Sequence, residues 1–151
     1  LRLAANDYDL KKHYDFRQTI IVREFEENLP PVRCEKTKIE QVLLNLIKNA
    51  AHSMAQNASG KEPVLTIRLE REPHHARIEI IDNGPGMDDA IRRRIFEPFF
   101  TTKEVGVGTG LGLSVSYFII TKQHRGTMTA ESSPGAGARF ILRIPWDMET
   151  P

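Results

Sequence analysis

The sequence predicts a two-layer α+β sandwich. Three observations carry that prediction. One long amphipathic helix occupies the first third of the chain. Later stretches alternate apolar and polar residues in pairs joined by short turns. The regular strand–helix–strand order that a doubly wound parallel sheet needs is missing. The 151 residues suit one domain with a proper core. At 40% apolar and 27% charged residues the composition is that of an ordinary globular chain.

Residues 1–14 read as a short or fraying helix, with Leu3, Ala4, Leu10 and Tyr14 apolar. Residues 19–25, with the β-branched run Thr-Ile-Ile-Val, favour a strand. Asn28 and the Pro30-Pro31 pair break it, and residues 32–34 are expected to form another short strand. Residues 35–56 make the clearest helix. Ile39, Val42, Leu43, Leu46, Ile47, Ala50 and Met54 recur at helical spacing and define its buried face.

A loop, NASGKEP, separates this helix from two alternating strands at 64–70 and 76–81, joined by the turn REPHH into a hairpin. Residues 88–94 follow as a short polar helix. Residues 110–123 are expected to be helical, with Leu111, Leu113, Val115, Phe118 and Ile119 facing inward. Strands at 127–132 and 138–145, linked by SSPGAG, close the chain.

Composition excludes some functions. Lys and Arg number 21 against 20 Asp and Glu, a net charge of +1, so no global field draws nucleic acid or anionic lipid. Cys34 is the only cysteine, which rules out an internal disulfide and a cysteine metal cluster, and a reducing cytosol is the simplest setting. No apolar run is long enough for a membrane-spanning helix. The start at Leu1 leads us to expect a piece of a longer protein.

Three segments carry chemistry beyond packing. On the long helix, Gln41, Asn45, Lys48, Asn49 and His52 fall at steps of three and four and share one face. A solvated polar stripe is one reading. The other starts from asparagine being a poor interior helix residue, since its amide competes for backbone groups. A carboxamide oxygen is a hard, neutral ligand for a partly hydrated Mg²⁺ already neutralised by phosphates. In IEIIDNGPGM an apolar strand runs into Asp82, and Gly84 and Gly86 turn the chain. Either this is only a strand-ending turn, or Asp82 sits at the mouth of the core and accepts a hydrogen bond from a base amine such as adenine's. In the second case the glycines let backbone approach a flat base.

The third segment is IFEPFFTTKEVGVGTGLGLSV. It fits neither a dinucleotide-binding fingerprint nor a phosphate-binding P-loop. One reading is a flexible connector. In the other, a loop delivers Gly110-Leu111-Gly112 to a helix start whose free N–H groups favour a phosphate. Phe96, Phe99 and Phe100 would then anchor its near end by burial. Lys103 either reaches a terminal phosphate or stays solvated.

Taken in order, N-x-x-x-N on a helix, D-x-G-x-G after a strand, Phe-Glu-Pro-Phe-Phe and G-x-G-x-G at a helix start closely resemble the ATP-binding catalytic domain of sensor histidine kinases of two-component systems. These belong to the superfamily that also holds gyrase, Hsp90 and MutL-type ATPases. The matching stretches are QVLLNLIKNAAHSM, DNGPGM, IFEPFFTTK and GTGLGLSV, with SSPGAGARFILRIP as the closing strand. The EPFFTTK form looks most like kinases related to nitrogen-regulation sensors.

The resemblance implies a Bergerat-type sandwich, a mixed five-stranded sheet backed by three helices. It also implies ATP and Mg²⁺ as ligands. Asn49 would coordinate the metal, with Asn45 beside it. Asp82 would read adenine, with Gly84, Gly86 and Met87 shaping that wall. Gly108, Thr109, Gly110, Leu111 and Gly112 would close a lid over the phosphates, and His52, Phe99 and Lys103 would line the site. Asn45, Asn49 and Lys103 would serve the chemistry.

Hydrolytic relatives carry a Glu general base where this chain has Asn45, which takes no proton near neutral pH. The implied activity is therefore transfer of the γ-phosphate to a histidine, governed by positioning and charge neutralisation. A protein-serine kinase of the anti-sigma-factor type and a non-enzymatic ATP sensor remain alternatives.

Three departures from the family pattern stand out. His52 replaces a common Lys, Ala138 replaces a common Thr, and no H-[ED]-x-x-[NT]-P acceptor box is present. Residues 1–14 are accordingly expected to be the linker from a dimerisation domain that carries the acceptor histidine, and 15–151 the catalytic domain. The implied partners are that domain and a downstream response regulator. The parent would be a homodimer, membrane-anchored or not, and this fragment a cytoplasmic monomer.

Overall fold

A computed structural model describes residues 18–57, 60–102 and 110–147. Within them the chain runs β1 (Ile20–Phe25), α1 (Lys36–Ala55), β2 (Val64–Arg71), β3 (His75–Asp82), α2 (Asp89–Arg92) and α3 (Gly112–Phe118). A π-helical turn, Ile119–Gln123, continues α3, and β4 (Thr127–Ser132) and β5 (Ala138–Pro145) follow. The five strands form one sheet in the order β1-β2-β3-β5-β4. Only β1 and β2 pair in parallel; the other neighbours are antiparallel. The expected mixed sheet with three helices on it is what the chain forms. The expected helix at 1–14 lies outside the described residues.

Strand alternation decides which residues make the core. Register places Leu65 beside Asp82 and Ala138, and Ile67 beside Ile80 and Phe140. Those residues share the inward face with Ile78, Leu142, Ile144 and Met128. Against them pack Ile39, Val42, Leu46, Ile47, Ala50 and Met54 of α1 and Ile119 and Ile120 beyond α3, all buried. Burying a side chain of this size is worth about 1.5–3 kcal/mol, so the helix layer is held mainly by this face.

The opposite face of the sheet is ionic. Glu79, fully buried, accepts hydrogen bonds from the guanidinium groups of Arg68 (2.7 Å) and Arg77. Arg68 also donates to Glu24 at 2.6 Å, and Arg143 to Glu72 at 2.9 Å. A carboxylate excluded from water is tolerable only when paired in this way.

Two expectations fail. Residues 32–34 form no strand. Val32 and Cys34 instead pack partly buried against the core, because Pro30-Pro31 deprives the approach of two ladder donors. Just past the segment, the N–H of Glu35 is taken by a ring nitrogen of His124 at 3.1 Å. Second, Val115 and Phe118 are exposed, not inward, at 37% and 54%. The face of α3 towards α1 is set by Leu113 and Ser116, and the π turn then widens the spiral so that Ile119 and Ile120 are both buried. A π turn adds one residue to the helical repeat, which a reading at constant period cannot follow.

Candidate functional site

Asp82 closes β3, so strand alternation turns its side chain inward just where the sheet ends. The carboxylate is 4% exposed and accepts a hydrogen bond from the Gly84 N–H at 2.9 Å. Burial pushes its pKa up from 3.8 to about 6, partly offset by hydrogen bonds from the N–H groups of Gly84 and Ala138 and the hydroxyl of Ser53. The resulting group is poised to ionise near neutrality at the mouth of the core.

Gly86 follows with φ +75°, and a Cβ there would lie 2.1 Å from the Ser133 carbonyl oxygen. Only glycine meets both demands, and its place in the turn brings Met87 to the cavity wall.

The cavity beside Asp82 has a volume of about 350 Å³, within the range of small-molecule sites. One wall is α1, which contributes Asn45, Lys48, Asn49, His52 and Ser53, with Gln56 just past its end. The sheet end supplies Asp82, Gly86, Met87 and Ala138, and Ile91, Ile95 and Phe100 give an apolar side. Gly110, Gly112 and Leu113 form the other helical wall. Asp88 caps the short helix α2 by accepting from the Ile91 N–H at 2.8 Å, which fixes Ile91 in place.

Along α1 the polar residues differ in their engagements. The Asn49 carboxamide makes no hydrogen bond among the described residues and is half-buried. Asn45 donates from Nδ2 to the Ser116 hydroxyl (3.1 Å) and to the Gly112 carbonyl (3.3 Å). The His52 ring lies 3.1 Å from the Gln56 amide nitrogen. Among the described residues no three His, Cys, Asp or Glu side chains converge as a metal cage. A hard cation here would draw ligands from a carboxamide, water and an anionic ligand, a set suited to Mg²⁺ bound with phosphates.

Eight of the expected site residues are thus gathered round one cavity: Asn45, Asn49, His52, Asp82, Gly86, Met87, Gly110 and Gly112. Three stand elsewhere. Gly84 serves Asp82 through its N–H. Leu111 precedes α3, its carbonyl accepting from the Val115 N–H. Phe99 is 75% exposed and anchors nothing by burial. Its backbone, at φ +66°, donates to the Gly110 carbonyl at 2.8 Å, and this swings the ring outward. The anchoring falls to Phe96, stacked on Tyr117 at 4.9 Å and edge-on to Phe140, and to Phe100, beneath the Arg94 guanidinium at 4.5 Å. Lys103, Gly108 and Thr109 lie outside the described residues.

Sequence reasoning missed Ser53, Gln56, Leu113, Ile91, Ile95 and the cavity face of Phe100. Ser53 and Gln56 were within reach, since they extend the Asn45–Asn49–His52 stripe by further steps of four. Ile91 and Ile95 also stand at that spacing, in an otherwise polar segment.

Residues 34–148 match the family described as histidine kinase-, DNA gyrase B-, and HSP90-like ATPase. The chain is 36% identical over 124 residues to the C4-dicarboxylate transport sensor protein of Rhodobacter capsulatus, covering 82% of this chain and 18% of that protein. It is 36% identical over 136 residues to the sensory histidine kinase/phosphatase NtrB of Vibrio alginolyticus, covering 85% of this chain and 38% of that one. Among solved structures it is similar to the catalytic domain of histidine kinase ThkA, with a TM-score of 0.76, 30% identity, and 96% and 90% of the two chains covered. The chain thus spans a minor part of the curated relatives' length and nearly the whole of that catalytic domain.

Proposed function

This chain belongs to the histidine kinase-, DNA gyrase B- and HSP90-like ATPases, and from that membership we propose that it is the ATP-binding catalytic domain of a two-component sensor histidine kinase. Bound as Mg-ATP, the nucleotide lies along α1, with adenine at Asp82 and the phosphates towards Asn49 and Gly110-Leu111-Gly112. Asp82 accepts a hydrogen bond from the adenine amine. Guanine would set a carbonyl oxygen against that carboxylate. Asn49 would hold Mg²⁺ through its neutral carboxamide oxygen, and the metal would supply charge neutralisation at the phosphates. Lys103 and the backbone groups of Gly108 and Thr109 complete the phosphate end. His52 adds a contact that strengthens when the ring is protonated.

One observation carries this reading: a buried carboxylate and a carboxamide with no hydrogen bond among the described residues face the same cavity from the sheet and from α1. The acceptor histidine belongs to a separate dimerisation domain of the longer protein. Among the described histidines, His124 has both ring nitrogens engaged and is fully buried. His74 and His75 stand where β3 begins, at the opposite end of that strand from Asp82. With Asn45 rather than a carboxylate one turn before Asn49, little hydrolysis is expected from this domain alone. Downstream, a response regulator would take the phosphoryl group from that histidine.

Calorimetry with ATP and GTP, each with and without Mg²⁺, tests the binding site. The expected result is Mg-dependent binding of ATP and at least tenfold weaker binding of GTP. No adenine nucleotide bound to folded chain would sink the reading. Transfer from labelled ATP to a supplied dimerisation domain tests the activity, and labelling on serine instead of histidine would reassign it.

A further inference from the structure

Ser116 is fully buried, yet it sits on the face of α3 turned to α1, where an apolar residue would pack without polar cost. A buried hydroxyl costs free energy unless it is hydrogen-bonded. Here it is bonded twice. Its Oγ–H donates to the Gly112 carbonyl at 2.8 Å, one turn back on its own helix. Its oxygen accepts from Asn45 Nδ2 at 3.1 Å, across the gap to α1. The same Nδ2 reaches the Gly112 carbonyl at 3.3 Å, so a hydroxyl, a carboxamide and a carbonyl close into a triangle. A carbonyl can only accept, and this assigns the nitrogen of Asn45 to α3 and leaves its oxygen uncommitted.

Both members are costly where they stand. Asparagine lowers helix propensity inside α1, and a serine bonded to the carbonyl four residues back does so in α3. What the pair provides is a fixed approach of two helices otherwise joined here by adaptable apolar contacts. Its place matters as well. Asn45 lies one turn before Asn49 on the same face, and Gly112 and Leu113 line the facing wall. Ser53, which bonds Asp82, is eight residues from Asn45, or about 12 Å along the axis. The triangle therefore braces the end of the cavity remote from Asp82.

We propose that Ser116 is a positioning residue for the triphosphate end of the nucleotide. Through Asn45 it holds the α3 wall at a fixed distance and register from the α1 turn that carries Asn49. This rests on the ATP reading of the cavity, and it assigns Asn45 a bracing role before any contact with ligand.

The test compares two ligands on the whole chain. A non-hydrolysable ATP analogue with Mg²⁺ spans both ends of the cavity; adenosine occupies only the Asp82 end. Ser116→Ala and Asn45→Ala should each weaken the analogue about five- to tenfold while leaving adenosine within about twofold. The double variant should be no weaker than the worse single variant, because either change removes the same brace. Should Ser116→Ala fold poorly by thermal unfolding, the half-buried Asn45→Ala carries the same two-ligand comparison.

Additive losses, or adenosine weakened as much as the analogue, would overturn the brace. So would an analogue affinity unmoved by Ser116→Ala when the unsubstituted chain binds normally. An unsubstituted chain that binds neither ligand overturns the ATP reading itself, and the brace with it.

Discussion

The two helical walls of the cavity are built on opposite terms. α1 is a regular helix of 20 residues whose buried stripe of Ile39, Val42, Leu46, Ile47, Ala50 and Met54 fastens it to the sheet. Its polar stripe can therefore carry residues that make no contribution to packing, and Asn49 is one. α3 has only seven α-helical residues, ends in a π turn, and buries just Ser116 within its α-helical part. It is held at its ends. At one, Asn45 reaches across to Ser116 and Gly112. At the other, beyond the π turn, buried His124 accepts from the Glu35 N–H at the start of α1 and bonds the Ile119 carbonyl at 2.8 Å. The donor from Glu35 dictates that Nδ1 carries the ring proton. The comparison teaches that a helix fastened along its length by buried area keeps part of its polar face, Asn49 included, for chemistry. A short helix with its apolar anchor at the far end, in Ile119 and Ile120, needs polar bonds to set its cavity end and draws Asn45 of the facing wall into making them.

Asn49→Ala is the sharpest way to break this contrast and should have the largest effect. Loss of a bond to a charged ligand system is worth about 2–3 kcal/mol, or roughly thirty- to a hundred-and-fortyfold in Mg-ATP affinity by titration. The unfolding temperature should hardly move, because the side chain has no described protein partner. A chain that melts much lower would show that α1 does spend Asn49 on structure.

His124→Leu should act in the opposite sense. It strands the Glu35 N–H, while the Ile119 carbonyl keeps the bond from the backbone N–H of residue 124 at 3.1 Å. The cost is about 2 kcal/mol of stability in denaturant unfolding. Unchanged stability would mean that α3 is not held from that end.

Gly110→Ala comes next. Gly110 has φ +70°, and a Cβ there would meet Phe99 backbone atoms at 2.4 Å. The backbone term alone is about 1–2 kcal/mol, so both melting temperature and affinity should fall. Gly112→Ala is the control on the same wall, since its added Cβ would find only Asn45 Cγ, at 3.8 Å. Equal damage from both would argue against a site-specific role for the Gly110 turn.

The smallest effect is a pH dependence, and it has two signs. The Asp82 pKa is raised in the folded, unliganded chain from 3.8 to about 6. Its contribution to stability is therefore present below pH 3.8 and is lost as pH rises through about 6. Adenine binding runs the other way. An amine donor favours the ionised carboxylate, so affinity should fall up to about tenfold per pH unit below pH 6. Adenosine, which has no phosphate to titrate, is the probe. The slope should vanish in Asp82→Asn; a slope that persists there would place the titrating group elsewhere.

Much of the fold was legible because most of its elements keep constant period. The stripe of α1 at three and four, and the alternation of β2, β3 and β5 at two, each name a buried face without knowledge of what covers it. Asp82 was legible for the same reason: it is the last residue of an alternating strand. Where the period breaks, reading stopped. Val115 and Phe118 were assigned inward because a π turn leaves no mark in composition. Phe99 was expected to anchor by burial because an aromatic residue gives no sign that its backbone will take a positive φ. Residues 32–34 look extended, but no strand comes to pair with them.

By itself, then, the sequence determined which residues are apolar at which spacing. That settles the strands, the long helix, the carboxylate at the strand end and the polar face of α1, because each follows from local geometry. The tertiary structure alone decided how the polar groups are spent. Asn45 and Asn49 are the same residue type one turn apart, and nothing local distinguishes them. Only the arrival of Ser116 and Gly112, about seventy residues later in the chain, commits one amide to a helix and leaves the other for a ligand. Hydrogen bonds across that separation depend on where packing has already placed the two partners.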